Sequence, residues 1–131
     1  MELRFSTWQE VDAYLQHSKT IILPIGSTEQ HGPNGLIGTD ALCPESLAIA
    51  LGQKSGALVA PTIAVGMAQH HLGFAGSITL LPSTLIAVIR DTVNSLIRRL
   101  RRRLMEIDPG HRYIYAIRGH GFKFHPPGGG R

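Results

Sequence analysis

Thr20-Ile21-Ile22-Leu23-Pro24-Ile25-Gly26 opens the stretch on which the fold turns. It is short and apolar and ends in glycine, so Thr20 to Ile25 reads as a buried strand. Ser27 to Thr39 follows as a loop, because it holds Gly32, Pro33, Asn34, Gly35 and Gly38, residues that turn a chain. Asp40 can cap a helix running to about Gln53, with Pro44 tolerated in its first turn. Gly56 to Pro61 is a second short apolar strand. Strand, helix and strand in this order predict a parallel pair joined by a right-handed crossover, with 20–25 in the centre of the sheet. The loop after the first strand then lies at the carboxyl end, where open α/β sheets place their sites.

On the amino-terminal side, Ser6 or Thr7 can cap a first helix. Glu10 stands near the capping-box position, and Trp8, Val11 and Leu15 supply the apolar stripe. On the other side, Gly66 to Gly76 is a loop containing glycines and histidines, and Ser77 to Leu81 is a third strand. Pro82 and Ser83 open a long helix with apolar residues at 85, 86, 89, 93, 96, 97, 100 and 104, the three-and-four spacing of one face. It runs to about Met105, roughly 35 Å at the usual rise, and Asp108, Pro109 and Gly110 end it. Tyr113 to Ile117 alternates like a strand, Gly119 to Gly121 turns, and Phe122 to Phe124 returns as a hairpin partner.

The chain has 131 residues, 43% of them hydrophobic and 17% charged. That suits one domain, or one small domain with an appendage, and not a disordered chain. Its apolar runs are too short to span a bilayer, and no secretory core opens it. Cys43 is the single cysteine, which fits a reducing, cytoplasmic setting. Charge is uneven. Residues 1–97 carry four bases and seven acids, a formal −3, while 98–131 carry nine bases and two acids, a formal +7. The second segment is therefore suited to an anion.

The loop after the first strand holds Glu29, His31 and Asp40. Glu29 and His31, two apart in an extended segment, point to one side, and Asp40 returns at the start of the next helix. Two carboxylates and an imidazole suit zinc, manganese or iron, and a carboxylate can bridge two ions. Two bridged ions can polarise an amide carbonyl and supply hydroxide at neutral pH. By spacing alone the same residues also read as a loop carboxylate, a surface histidine and an N-cap.

The run Leu23-Pro24-Ile25-Gly26-Ser27-Thr28-Glu29-Gln30-His31-Gly32-Pro33, then Gly38-Thr39-Asp40, closely resembles the creatininase (creatinine amidohydrolase) family. The likeness continues in Ala60 to Met67, in Gln69-His70-His71-Leu72-Gly73-Phe74-Ala75-Gly76 and in Pro82-Ser83-Thr84-Leu85, and covers residues 1 to about 96. It implies a three-layer α/β/α hydrolase of cyclic amides or related C–N bonds, oligomeric, with a divalent metal, zinc or manganese, as one ion or a pair. Glu29 would ligate one ion, His31 the other, and Asp40 would bridge them. His71 would lie in a loop near the substrate. The family's second half is expected to be missing, and with it further ligands and catalytic residues. Gly119-His120-Gly121 after a strand resembles part of the family's Gly-His-Gly metal loop, which makes His120 a further candidate ligand, although Phe122 stands at that loop's next ligand position.

Val93 to Leu104, Asp108-Pro109, and Arg112 to Phe124 resemble the recognition helix and wing of winged-helix response-regulator domains. That likeness implies contacts with the bases and phosphates of duplex DNA from Arg98, Arg99, Arg101, Arg102, Arg103, Arg118 and Lys123, expected here to be non-specific and salt-dependent because the docking scaffold for base readout is missing. A solvated basic helix face is the alternative.

The sequence thus predicts an α/β fold: a truncated three-layer creatininase-like half at 1–96, then a long basic helix and C-terminal β-hairpin at 97–125, then a disordered tail at 126–131. The expected activity is metal-dependent amide hydrolysis of a small molecule, impaired by truncation. DNA binding, or an inactive fused chain, is the alternative. A homo-oligomer without membrane contact is expected.

Overall fold

Strand and helix signals in the first ninety residues meet in a small parallel sheet with a helix on each face. The computed structural model describes residues 1–107, 109–110, 114–117 and 121–124, with side chains left aside for 99–105, 107 and the last two segments. The expected tail at 126–131 lies outside the described residues. The chain divides into two units, Met1–Ile89 and Arg90–Arg131.

In the first unit, α1 spans Trp8–His17 and begins in a full capping box. The Thr7 side chain accepts from the Glu10 N–H, and the Glu10 carboxylate accepts from the Thr7 N–H at 2.7 Å. The sequence left Ser6 or Thr7 open as cap, and the structure selects Thr7. The strand β1 is Ile21–Ile22 and pairs in parallel with β2, Leu58–Val59. Between them runs α2, Thr39–Ser55.

Both strands are shorter than expected, and the prolines explain why. The parallel contact continues, since Ile63 N–H donates to the Pro24 carbonyl, Gly26 N–H donates to Ile63, and Ile25 bridges Ile63. Two residues separate Ile22 from Ile25, but three separate Val59 from Ile63, so the second segment carries an extra residue, as in a bulge. Pro24 and Pro61 have no N–H to give to a ladder. Val59 bridges Glu2 on one side and pairs with Ile22 on the other. Among the described residues β2 therefore has a neighbour on each side, and the segment that continues β1 bridges both Ile63 and Ile78. The third strand expected at 77–81 reduces to one antiparallel bridge between Thr28 and Ile78.

Successive side chains of a strand face opposite ways, and β2 uses both faces. Leu58, 1% exposed, packs with Val11 and Leu15 of α1. Val59 meets α2 at Gly52, where an added Cβ would come within 2.5 Å of the Val59 side chain. Helix, sheet and helix thus form three layers in miniature, an α/β fold. The Tyr14 hydroxyl ties α1 to the sheet, accepting from the Leu58 N–H at 3.0 Å and donating to the Thr20 carbonyl.

Helix α2 starts one residue before Asp40 and ends two beyond Gln53. Its N-cap is Gly38 and no side chain caps it, so Asp40 is not the cap it was expected to be. Gly56 closes the helix with φ 71°, a left-handed conformation that glycine adopts without steric cost. It belongs to the helix end and not to the second strand. Pro44 therefore sits in the second turn and cannot donate to the Asp40 carbonyl. Gly26 packs directly against that carbonyl, and a Cβ there would collide with it.

Helix α3 spans Pro82–Ile107, close to the expected bounds, with Pro82 at the first helical position. In the second unit, β3 (Ile114–Ile117) and β4 (Gly121–Phe124) pair antiparallel, with Ile114 opposite Phe124 and Ile117 opposite Gly121. The hairpin expected from the sequence is therefore present. Among the described residues no helix is long and apolar enough to cross a membrane.

Candidate metal and substrate site

Residues 27–31 leave the carboxyl end of β1 as an extended segment held on two sides. Glu29 N–H donates to the Ile37 carbonyl, Ile78 N–H donates to Thr28, and Gln30 N–H donates to the Ser77 hydroxyl. The Thr28 hydroxyl donates to the Ala64 carbonyl at 2.7 Å. Anchored this way, the segment presents Glu29, Gln30 and His31 to their neighbours in fixed register.

His31 and Asp40 meet directly. His31 Nε2 lies 3.2 Å from Asp40 Oδ1, and Nδ1 lies 3.1 Å from the Glu29 carbonyl oxygen. A carbonyl can only accept, so Nδ1 carries a proton. In the neutral ring Nε2 is then a lone pair facing a carboxylate, an arrangement that calls for a cation between or on the two groups. A proton is one such cation, and the His31 pKa is raised by its bond to the Glu29 carbonyl and then by the Asp40 carboxylate, against some desolvation. A metal ion is the other. Metal-bound histidines commonly donate their second N–H to a backbone carbonyl, as His31 does. Asp40 is free for this role because it does not cap α2.

Glu29 turns the other way. The Ser27 hydroxyl donates to Glu29 Oε2 at 2.8 Å, and Glu29 Oε1 lies 3.8 Å from His71 Nε2. The Glu29 side chain is 14% exposed and that of His71 22%. His70 stacks on His71 with ring centroids 3.9 Å apart, and Phe74 meets His71 edge-on at 6.2 Å. Ligand atoms of Glu29, His70 and His71 all lie within 4.8 Å of one another. Tetrahedral ligation at about 2.1 Å sets donor pairs roughly 3.4 Å apart, so by distance alone this set comes near what an ion requires. The structure thus divides the expected ligands. His31 joins Asp40, while Glu29 joins His71 and also His70, which the sequence reading passed over. The only sequence signal for His70 was its place beside His71 in the turn Gln69–His71. That contact depends on a chain reversal not visible in spacing.

Beside these groups lies an open cleft of about 460 Å³. Gln30 and His31 form its polar side, and Pro33, Ile37, Phe74 and Ala75 its apolar side. This size and mixture suit a small molecule. His71, named for a substrate loop, contacts Gln30 and Phe74, two residues of the cleft wall.

The other expected site residues fall elsewhere. His120 and Arg118 lie outside the described residues. Arg98 is exposed on α3. Arg99, Arg101, Arg102 and Arg103 continue that helix, but their side chains are outside the described set. Lys123 lies in β4, in register with Tyr115.

The chain matches the family model described as creatinine amidohydrolase over residues 4–113. The match passes residue 96 and takes in the arginine-rich part of α3. A creatinine amidohydrolase of Pseudomonas putida is 32% identical over 111 residues, covering 80% of this chain and 42% of the relative. A 3-dehydro-scyllo-inosose hydrolase of Thermotoga maritima is 29% identical over 121 residues, covering 88% and 38%. Solved creatininase structures, among them one described as a manganese form, superpose with TM-score 0.70 at 28% identity, over 74% of this chain and 40% of theirs. A form described as Zn–Zn superposes equally well. The chain spans about two fifths of the length of these relatives.

Proposed function

The chain belongs to the creatininase family, and from that premise we propose that it serves metal-dependent hydrolysis of an amide or related C–N bond in a small molecule. The observation that carries this reading is His31, with Nδ1 on the Glu29 carbonyl and Nε2 turned to the Asp40 carboxylate. That donor pair fits zinc or manganese, the ions named for the structural neighbours. A divalent ion bound there would polarise a carbonyl and make water acidic enough to attack near neutral pH. Glu29, the third ligand by resemblance and the second carboxylate, would complete the set by turning from Ser27 toward His31. The cleft beside His31 would seat the substrate, with Phe74 and Ile37 against its apolar side and Gln30 against its polar side. A homo-oligomer is part of the proposal, because Leu42, Leu47 and Leu51 leave an apolar face of α2 exposed. Nothing among the described residues favours the duplex-DNA alternative.

Equilibrium dialysis of the full chain with Zn²⁺ or Mn²⁺ tests the site. Uptake is expected, weaker by about 10-fold or more in Asp40→Ala, and the loss should exceed that of Glu29→Ala. Metal-dependent opening of a cyclic amide tests the activity. Equal uptake by the variant lacking Glu29, His31 and Asp40 side chains would reject the site.

A further inference from the structure

The two histidines beside Glu29 hold their Nδ1 atoms in opposite senses. His31 Nδ1 faces the Glu29 carbonyl and must donate. His71 Nδ1 faces the Gln30 side-chain amide nitrogen at 2.8 Å. Which end of that amide points at His71 is decided by its other end. The Gly32 N–H, which can only donate, lies 2.8 Å from Gln30 Oε1. The oxygen is therefore committed to Gly32, and the NH₂ group must face His71. An NH₂ donates, so His71 Nδ1 accepts, and the neutral ring of His71 carries its proton on Nε2. That N–H lies on the side of Glu29, with Oε1 at 3.8 Å, too far for a hydrogen bond.

We propose that Gln30 is a positioning residue that fixes the proton of His71 on Nε2. His71 is thereby kept as an N–H donor beside Glu29, while His31 is left as the histidine with a lone pair for a metal. This rests on the functional reading above, and it assigns separate roles to two histidines that composition and spacing do not distinguish. It also bears on the cluster Glu29, His70 and His71. For His71 to ligate through Nε2, its proton must move to Nδ1. Two donors would then meet at Gln30, or Gln30 would have to turn and abandon Gly32. The cluster is therefore a poor metal site in this chain.

Gln30→Glu reverses the arrangement. A carboxylate accepts from both Gly32 and His71, so the ring proton moves to Nδ1 and the Nε2 lone pair turns toward Glu29. The test is long-range ¹H–¹⁵N correlation spectroscopy on the ¹⁵N-labelled, metal-free full chain. Wild type should show His71 protonated at Nε2 and His31 protonated at Nδ1. Gln30→Glu should show His71 protonated at Nδ1, with His31 unchanged. Zn²⁺ titration of Gln30→Glu should reveal an added site, about 10-fold tighter than any second site in wild type and removed by His70→Ala. Nδ1 protonation of His71 in wild type would overturn the proposal, and so would an unchanged pattern in Gln30→Glu. Because the tautomer is read without metal or substrate, it stands or falls separately from the proposed hydrolysis. A chain that neither binds metal at Asp40 nor turns over an amide would refute that reading alone.

Discussion

Gly26 shows how one residue can decide whether a site forms. Its lack of a side chain lets the segment after β1 close on the Asp40 carbonyl, which Pro44 has freed from its usual helical donor. The same approach brings the start of α2, and so the Asp40 carboxylate, to His31. Gly26→Ala should therefore destabilise the chain by about 3 kcal/mol or more, as overpacking against backbone does, measured as a lowered urea midpoint. Asp40→Ala in the intact Gly26 background should leave that midpoint nearly unchanged, since Asp40 caps nothing. Tyr14 is the corresponding residue at the other end of the strands. Its hydroxyl serves the Leu58 N–H and the Thr20 carbonyl, so Tyr14→Phe should cost about 1–2 kcal/mol while leaving metal uptake intact.

Among the elements, α1 is defined by local signals and α2 by its surroundings. Thr7 and Glu10 satisfy two backbone donors between them, and Thr7→Ala should cost about 1 kcal/mol. The Glu10 carboxyl is held below its ordinary 4.5 by the Thr7 N–H and then the Thr7 hydroxyl. A carboxyl depressed in the folded state contributes stability above its unfolded pKa and loses it as pH falls through the folded value. The difference in urea midpoint between wild type and Glu10→Gln should therefore be steady near neutral pH and shrink below about pH 4.5. A difference that grows on acidification would contradict the capping box. At the far end of α2, Gly56→Ala forces a side chain into φ 71°. It should cost roughly 1–2 kcal/mol, seen as a lower thermal midpoint with unchanged helix content at low temperature.

The whole molecule has more apolar surface than its first unit can cover. Leu42, Leu47 and Leu51 of α2 are 51%, 65% and 55% exposed, and Trp8 is 69% exposed. Patches of this kind favour association in water. On α3, Leu85, Ile89 and Leu96 of the stripe expected to be buried in an oligomer are half-buried, while the side chains of Leu100 and Leu104 lie outside the described set. Sedimentation velocity at micromolar concentration should show a species larger than the 14.2 kDa chain, and Leu47→Glu with Leu51→Glu should shift it toward monomer. A compact wild-type monomer would remove the oligomer from the proposal. The basic stretch near Arg98 should show at most DNA affinity that falls steeply with salt; sequence-selective binding at physiological salt would revive the winged-helix resemblance.

By itself the sequence determined the features carried by short-range chemistry. Apolar runs and breakers placed α1, α2, α3 and the β3–β4 hairpin within a few residues, because caps, prolines and periodicity act locally. The runs from Leu23 to Asp40 and from Gln69 to Gly76 carried the resemblance to the family that the chain matches, and they suggested Glu29, His31 and Asp40 as ligands and His71 as a substrate-loop residue. Tertiary structure decided what depended on distant partners. Val59 gained a second neighbour because Met1 and Glu2 return to it, and no spacing encodes that return. The regular strands stopped at two residues each because Pro24 and Pro61 deny the parallel ladder its donors. Glu29 was drawn to His71 by Ser27 and the turn at 69–71, and His70 entered with it. The proton on each histidine follows from single partners, the Glu29 carbonyl for His31 and Gln30 for His71. Only a folded backbone brings Gln30 to His71 across forty residues of chain and turns its oxygen to Gly32. A ring nitrogen donates or accepts according to the atom it faces, and that atom is supplied by the fold.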